Sequence, residues 1–235
     1  GGLLAIALVI VFVAAYEFFW RSQNFPVSYN DDEALWAKKR AAVYKPAHTA
    51  TVFIGSSRIK FDLDIETWRK VTGEDAIQLA MVGSNPRPIL NDLANDSDFN
   101  GKLIVDVTED LFFSLHNYQV SPRKGISYFH ELTPAQRVSS FLNKGLENNL
   151  VFLEEKRFGL NALLTDLDIP NRKGVFSLPP MPKNFGLTTA DRQDYMTPKF
   201  LLDTCLQNWQ TDVWKTIGIL SGRRDIGGDT LENIL

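Results

Sequence analysis

Cysteine and histidine are scarce in this chain of 235 residues, which has one cysteine, Cys205, and three histidines, His48, His116 and His130. A single cysteine excludes a disulfide framework and a cysteine metal site within the chain. The histidines do not stand at a metal-binding spacing such as H-x-x-x-H. Glycine-rich phosphate loops of the GxxxxGKS/T or GxGxxG type are absent as well. We therefore expect neither a metal nor a cofactor.

Positive charge is not in excess either. The chain has 25 lysines and arginines against 28 aspartates and glutamates, a net charge of -3. Proteins that bind nucleic acids usually carry a basic surface. The charge balance therefore argues against a nucleic-acid partner.

The side chains of the first 16 residues carry no charge, and Glu17 is the first charged side chain. An apolar helix of about 20 residues spans a bilayer, and the aromatic cluster of Tyr16 and residues 18–20 is typical of a membrane interface. A cleavable signal peptide is the alternative, but its apolar core would be shorter, and only Ala14-Ala15 resembles a cleavage site. We therefore predict a single-pass anchor over residues 1–21 in the inner (plasma) membrane, with the main domain outside the cytoplasm.

A polar linker with Pro26 follows the anchor, and Asp31-Asp32 then begins a helix that Pro46 ends. Acidic residues at the start of a helix and the basic residues 38–40 near its end suit the helix dipole. We assign residues 22–45 to this juxtamembrane linker and helix. Residues 46–235 form the main domain, which we expect to be truncated at its C-terminal end.

Strand and helix patterns alternate over the first half of the main domain. Such alternation is typical of βαβ units with a parallel sheet, so we predict an α/β fold. The apolar runs predict three strands and the amphipathic segments two helices: strands at Val52–Ile54, within 75–81 and at Leu103–Val107, and helices at Ile65–Val71 and Pro86–Leu93.

The second half is more helical. Thr133-Pro134 and Thr197-Pro198 are typical helix starts. In the first of these helices the apolar residues Val138, Phe141, Leu142 and Leu146 share one face. The second has a stripe that we expect to face the core, and Cys205 lies on it; its members are Leu202, Leu206, Trp209, Val213, Ile217 and Leu220. Residues 168–190, rich in proline and glycine, predict a long irregular loop.

The strand at Val52–Ile54 runs directly into the turn Gly55-Ser56-Ser57-Arg58. In open α/β sheets the carboxyl ends of the strands are where ligands bind. A serine on a tight strand-to-helix turn is also how several hydrolases expose a nucleophile. The alternative is a plain tight turn with no chemical role.

This turn and the two strand ends that follow resemble the sequence blocks of the SGNH/GDSL hydrolase superfamily, in its membrane-anchored branch whose first motif reads GSSR. Gly55-Ser56-Ser57 stands where the family has Gly-Asp-Ser, and 78–83 matches the spacing of N-x-G-x-x-G but keeps only its final glycine, Gly83. In the third block Glu109 occupies the position of an asparagine. The D-x-x-H that supplies the base in this family does not occur in the 235 residues.

The resemblance implies a flavodoxin-like, three-layer parallel sheet with Ser57 as the nucleophile. It implies an oxyanion site formed by the backbone N–H groups of Ser57 and Gly83, with Glu109 in the third position. Arg58 is either a substrate-anion contact or a solvated turn cation, and Glu109 either lines the pocket or caps a helix.

The implied activity is ester hydrolysis or acyl transfer, for instance of an O-acetyl group on a cell-envelope polysaccharide. The implied partners are the membrane and an acylated polysaccharide or small ester. The alternative is a non-catalytic SGNH-like domain that serves as an envelope assembly or binding protein.

Overall fold

The computed structural model describes residues 1–113, 120–164 and 181–221, together with the isolated residues 167 and 174. The helices are α1 (Gly2–Ser22), α2 (Glu33–Ala41), α3 (Ser57–Asp62), α4 (Ile65–Thr72), α5 (Arg87–Ala94), α6 (Glu109–Phe112), α7 (Val120–His130), α8 (Pro134–Glu147), α9 (Glu155–Phe158), α10 (Leu160–Leu164), α11 (Pro198–Leu202) and α12 (Thr204–Ser221). The strands are β1 (Ala50–Ile54), β2 (Asp75–Gln78), β3 (Lys102–Val105), β4 (Gly186–Thr188) and β5 (Asp194–Met196).

The main sheet is parallel and has the order β2-β1-β3, so the predicted strand at Val52–Ile54 is central. Val52 pairs with Ile77 on one side and with Leu103 on the other. β1 has a neighbour on both sides and is buried along its whole length, and its residues are apolar apart from Thr51. The prediction of a mixed α/β chain with a parallel sheet is confirmed.

Helices cover both faces of this sheet. Successive side chains of a strand point to opposite faces, and Val52 and Ile54 pack in one buried cluster whereas Phe53 packs in another. The first cluster includes Trp36 from α2 and Ile89 from α5. The second receives Ile65 from α4, so the described sheet lies between two helical layers.

Two buried polar side chains hold α2 against the sheet and α5. The Trp36 indole N–H donates to the Leu79 carbonyl over 3.0 Å, so this N–H keeps a hydrogen-bond partner although Trp36 is buried. Arg40 is fully buried and forms ion pairs with Asp92 at 2.7 Å and Asp96 at 2.6 Å. Losing either carboxylate would leave a buried charge poorly compensated.

Local caps define several helix boundaries, and the starts of α2 and α8 are among those that the sequence predicts. Asp32 accepts the Leu35 N–H at the start of α2, and Thr133 and Gln136 form a capping box at the start of α8. Gly73 ends α4 in the left-handed conformation, which glycine adopts without steric cost. These ends are therefore determined by local sequence.

The apolar helix α1 is long enough to cross a membrane, with a mean hydropathy of 2.4 in its most apolar window. Its C-terminal end contacts the domain. The Glu17 carboxylate accepts the backbone N–H of Val151 at 2.9 Å, and Arg21 donates to the Asn149 carbonyl at 2.8 Å.

Three expectations for the second half are corrected. Cys205 is exposed instead of lying in the core. Val213 in the α12 stripe is buried, but Leu202 is 87% exposed, so only part of the stripe faces the core; the side chain of Leu220 lies outside the described residues. Within the loop predicted over 168–190, residues 186–188 form β4, which pairs antiparallel with β5; positions 168–173 and 175–180 lie outside the described residues.

Candidate functional site

The three predicted motif segments meet at the carboxyl edge of the parallel sheet. Backbone hydrogen bonds extend past the strands: Met81 N–H donates to the Gly55 carbonyl at 3.3 Å, and Asp106 N–H donates to the Ile54 carbonyl at 2.8 Å. The turn after β1 therefore has the turn after β2 on one side and the segment after β3 on the other. This is the edge at which open α/β sheets bind ligands.

Ser57 is the first residue of α3 and is half-buried. The close approach of the chain at Gly55 produces this position. A Cβ at Gly55 would lie 2.7 Å from both the Asp106 Cβ and the Ile59 Cγ2, so a larger residue would push the turn away from β3. Ser57 thus stands at the end of the central strand, as the sequence predicts.

Two buried oxygens lie beside this turn without a hydrogen-bond partner among the described residues. They are the Ser56 hydroxyl and the Asp106 Oδ2, and Ser56 is only 1% exposed. Buried polar atoms in native proteins are nearly always paired with protein or water. These two oxygens therefore form a small buried polar site next to the Ser57 turn.

Arg58 connects the first motif segment to the third. Its guanidinium donates to the Val107 carbonyl at 2.6 Å and to the Thr108 hydroxyl at 3.3 Å. The carboxylates of Asp106 and Glu109 lie 3.8 and 3.9 Å from the same nitrogen. Of the two roles left open for Arg58, the structure shows contacts within the protein, which tie α3 to the segment after β3.

Glu109 is the first residue of α6, and its side chain is 70% exposed. An acidic residue in the first turn suits the helix dipole. A carboxylate donates no hydrogen bond unless it is protonated, so the side chain cannot replace the asparagine donor that the family has here. Glu109 lies close enough to Arg58 to neutralise part of its charge.

Gly83 lies in the turn after β2, with a φ of 64°, and is exposed. The turn is closed by the Ser84 hydroxyl, which donates to the Met81 carbonyl at 2.7 Å. Asn85 then accepts the Arg87 N–H and donates to the Phe112 carbonyl, linking the start of α5 to the end of α6. Gly83 is thus held at the Ser57 edge by its neighbours on both sides.

No histidine contacts the Ser57 turn in the described part of the chain. His48 comes just before β1 and therefore lies at the opposite edge of the sheet. The ring of His130 is bonded to Asp92 on α5 at 2.7 Å. His116 lies outside the described residues. The described residues also contain no group of three histidine, cysteine, aspartate or glutamate side chains placed to hold a metal.

A buried cluster of four charges lies one helical turn from Ser57, and sequence reasoning did not find it. Lys60 of α3, 1% exposed, forms ion pairs with Asp31 and with Asp194, the latter at 3.3 Å. Arg192 binds the other oxygen of Asp31 at 2.6 Å. The cluster therefore joins the linker, α3 and the β4–β5 hairpin.

The same cluster caps the end of β2 and borders a pocket. Arg192, in a left-handed conformation with φ 64°, donates to the carbonyls of Gln78 and Ala80 at 2.9 and 3.1 Å. A pocket of about 240 Å³ lies beside it, with Met81, Val82 and Lys60 among its lining residues. A strained backbone at a buried arginine persists only where the surrounding contacts require it.

Two members of this cluster, Asp31 and Lys60, have shifted pKa values. Burial alone would raise the pKa of Asp31, but Arg192 and Lys60 outweigh it and hold that pKa well below its usual value. Burial, with Arg192, lowers the pKa of Lys60, while Asp31 and Asp194 act in the opposite direction. The two carboxylates therefore offset part of the cost of burying the Lys60 ammonium.

Ser57 and Lys60 have the S-x-x-K spacing of serine–lysine enzymes, the sequence signal that points to Lys60. On a helix this spacing puts both residues on one side. The Lys60 ammonium nevertheless bonds to two carboxylates, and no hydrogen bond joins it to Ser57. Lys60 therefore fixes α3, and with it Ser57, against the linker.

No family model, curated protein or solved structure matches this chain. The site is therefore defined by its own geometry: a serine at the head of a short helix, three adjoining strand ends, and a buried charge cluster that holds the helix.

Proposed function

We propose that this protein is a membrane-anchored, SGNH-like ester hydrolase or acyltransferase with Ser57 as its nucleophile. One observation carries the proposal: Ser57 begins α3 directly after the central strand, and both neighbouring strand ends are hydrogen-bonded to that strand or its turn. A nucleophile must be held in place yet remain reachable, and Ser57 is only half-buried on a firmly held turn.

The topology supports the same superfamily. The strand order β2-β1-β3 is the order with which a flavodoxin-like sheet, 2-1-3-4-5, begins. Helices on both faces are the other feature of that architecture. The described strands are thus consistent with the first part of a three-layer SGNH-like domain.

In the proposed reaction the Ser57 Oγ attacks the acyl carbonyl, and its proton passes to a base. The tetrahedral oxyanion is stabilised by the backbone N–H groups of Ser57 and Gly83, and the leaving alcohol takes up a proton as the acyl-enzyme forms. Attack by water then gives hydrolysis, whereas attack by a sugar hydroxyl gives acyl transfer. The resemblance assigns the base to a D-x-x-H, which these 235 residues do not contain.

The anchor gives this chemistry a location. With α1 in the inner membrane and the domain outside the cytoplasm, the substrates within reach include cell-envelope polysaccharides. An O-acetyl group on such a polymer is a small ester that a serine nucleophile can accept. The substrate class comes from the resemblance and the anchor.

A second candidate, a non-catalytic SGNH-like domain for envelope assembly or binding, is favoured by the third motif segment. Glu109 puts a carboxylate where a donor is required, and it faces Arg58 at 3.9 Å. In such a domain the edge of the sheet would be a binding surface.

A fluorophosphonate probe tests the proposal, because it reacts with a serine only when that serine is activated. The full-length protein in detergent should be labelled and should hydrolyse p-nitrophenyl acetate, and Ser57→Ala should lose both properties with unchanged folding. Ser139→Ala, on an exposed position of α8, is the matched control and should retain both. Equal turnover in the wild type and Ser57→Ala would leave the non-catalytic candidate as the better one.

A further inference from the structure

The helix α8 has its polar and apolar faces reversed relative to a helix that packs on a soluble core. Its charged residues Lys144 and Glu147 are buried, whereas Val138, Phe141 and Leu142 are 61%, 80% and 57% exposed. A surface helix normally turns its apolar stripe toward the protein and its charges toward water. The apolar face of α8 therefore points away from the body of the protein.

The inward face cannot rotate outward without breaking a connected set of polar contacts. The Lys144 ammonium lies 3.0 Å from the Asp32 carboxylate, 3.0 Å from Glu147 and 3.1 Å from the Asn30 carbonyl. Glu147 also accepts the side-chain amide of Asn30 at 3.1 Å. The linker between α1 and α2 thus holds α8 with its apolar side outward.

The end of α8 is joined to the end of the membrane helix. Arg21 donates to the Asn149 carbonyl, two residues beyond α8, and Glu17 accepts the Val151 N–H. The rings of Tyr16 and Phe152 are in edge contact, with centroids 5.4 Å apart. Tyr16 opens the aromatic cluster typical of a membrane interface, so the chain that leaves α8 lies at the interface level of α1.

We propose that α8 rests on the membrane from which α1 emerges, with its apolar face (Val138, Phe141, Leu142 and Leu146) inserted into the interfacial layer of the bilayer. The inference rests on the proposed anchoring of α1. Amphipathic helices in the membrane plane bury their apolar face about 5–10 Å into the boundary between headgroups and acyl chains. The occupant of the apolar face is therefore lipid, supplied by the same membrane that holds α1.

A depth measurement tests this in the full chain. Cys205→Ser removes the single cysteine, and one new cysteine is then introduced at Phe141, Asn143 or Phe12 and labelled with an environment-sensitive fluorophore. Phe141 lies on the apolar face, Asn143 is exposed on the flank of the same helix, and Phe12 is exposed in the middle of α1. The proteins are reconstituted into phosphatidylcholine vesicles containing a minority of phosphatidylglycerol, with and without brominated acyl chains.

Brominated lipid should quench the label at Phe141 at least about twofold more than the label at Asn143, because only the apolar face enters the bilayer. Strong quenching at Phe12 with none at Phe141 overturns the inference and leaves the anchor intact. If neither Phe12 nor Phe141 is quenched, the anchoring of α1 in the membrane is itself contradicted. The label at Phe141 could instead be shielded from water without being quenched by brominated lipid, and become exposed when the protein is diluted. That result would assign the apolar face to a second copy of the chain and would also overturn the inference.

Circular dichroism on each labelled variant shows whether the fold survives. A second variant, Phe141→Ser, keeps the inference testable if the bulky label disturbs α8. It should raise the rate at which a protease cleaves α8 in vesicles, while Asn143→Ser should leave that rate unchanged. Equal rates for the two variants in intact vesicles overturn the inference.

Discussion

Arg58 and Val107 are joined by a hydrogen bond of 2.6 Å from the guanidinium to the carbonyl, which closes the gap between the turns after β1 and β3. The contact spans 49 positions of sequence and lies directly beside Ser57. It makes the position of the nucleophile candidate depend on the segment that carries Glu109.

Arg58→Ala should therefore lower the free energy of unfolding by about 1 kcal/mol, because a charge-assisted hydrogen bond at a half-exposed site is lost. For a chain of this size that corresponds to a Tm lower by about 2–4 °C. Thermal unfolding in detergent measures the change. Lys199→Ala is a matched control at an exposed position and should leave Tm within about 1 °C of the wild type. Equal Tm values for the two variants would show that Arg58 contributes nothing to the turn.

Gly55→Ala should destabilise the protein by about 1–3 kcal/mol, because the added methyl group would lie 2.7 Å from the side chains of Asp106 and Ile59. Gly145→Ala is the control, since a Cβ there meets nothing within 4 Å. At a helical position alanine is better than glycine by about 0.5–1 kcal/mol. Chemical denaturation should therefore shift the two midpoints in opposite directions, and a stabilised Gly55→Ala would contradict the close approach.

Stability should fall as the pH drops below about 4, and Asp31 should account for part of the loss. Because Arg192 and Lys60 hold its pKa below the ordinary value of 3.8, the folded state binds fewer protons than the unfolded state in this range. The stabilisation is complete above that value and is lost as pH falls through the folded pKa. Urea denaturation of the wild type and Asp31→Asn between pH 3 and 6 checks the slope.

The variant Asp31→Asn should itself be less stable by about 3–5 kcal/mol at neutral pH, because Lys60 and Arg192 lose a shared partner. Its pH dependence should be flatter than that of the wild type. The double variant Asp31→Asn, Lys60→Met should lose less free energy of unfolding than the sum of the losses in the two single variants, because both partners of the ion pair are removed together. Strict additivity would mean that the two side chains do not interact.

Glu17→Gln should loosen the contact between α1 and the segment after α8. The wild-type carboxylate accepts the Val151 N–H at 2.9 Å and the Arg21 Nε at 2.6 Å. Losing the charge should cost about 1–3 kcal/mol locally, so amide hydrogen exchange at Val151 should become at least about fivefold faster. Glu66→Gln breaks an exposed pair with Lys70 and should leave exchange at Val151 unchanged.

Glu109→Asn supplies a neutral donor at the third motif position. If the oxyanion forms between Ser57 and Gly83, an added donor should raise the rate of ester hydrolysis by about tenfold or more. Asp110→Asn, the next residue on α6, removes the same charge without a donor at that position and should have little effect. Steady-state kinetics on the full-length protein compares the two. Equal rates would place the oxyanion away from Glu109.

Local patterns predicted most of the described fold. The apolar run before Gly55 predicted the strand that is central in the sheet, and Asp32 and Thr133 predicted helix starts, because each acts on its own neighbours in the chain. The meeting of the motif segments at one edge of the sheet was predictable too, because the carboxyl ends of parallel strands lie on the same side. Hydrophobic periodicity depends on residues that are close in sequence, and so do these strands and helix starts.

The charge cluster could not be predicted in this way. Asp31 and Arg192 are 161 positions apart in the sequence, and no repeat or spacing links them. Only the S-x-x-K spacing pointed to Lys60. The exposure of Cys205 and of the α8 apolar face also escaped prediction, because a helical stripe shows that one face is apolar and not whether protein, lipid or water covers it.

The contact of Glu17 with Val151 ties the C-terminal end of the apolar helix α1 to the domain. A domain on a free linker would sample a hemisphere above the bilayer, with a reach set by linker length. With α1 in a bilayer, as we propose, this contact would restrict the height and the tilt of the carboxyl edge of the sheet above the lipid. The ester hydrolase or acyltransferase that we propose would then select a polymer substrate by the distance of its reacting group from the membrane as well as by the shape of the pocket.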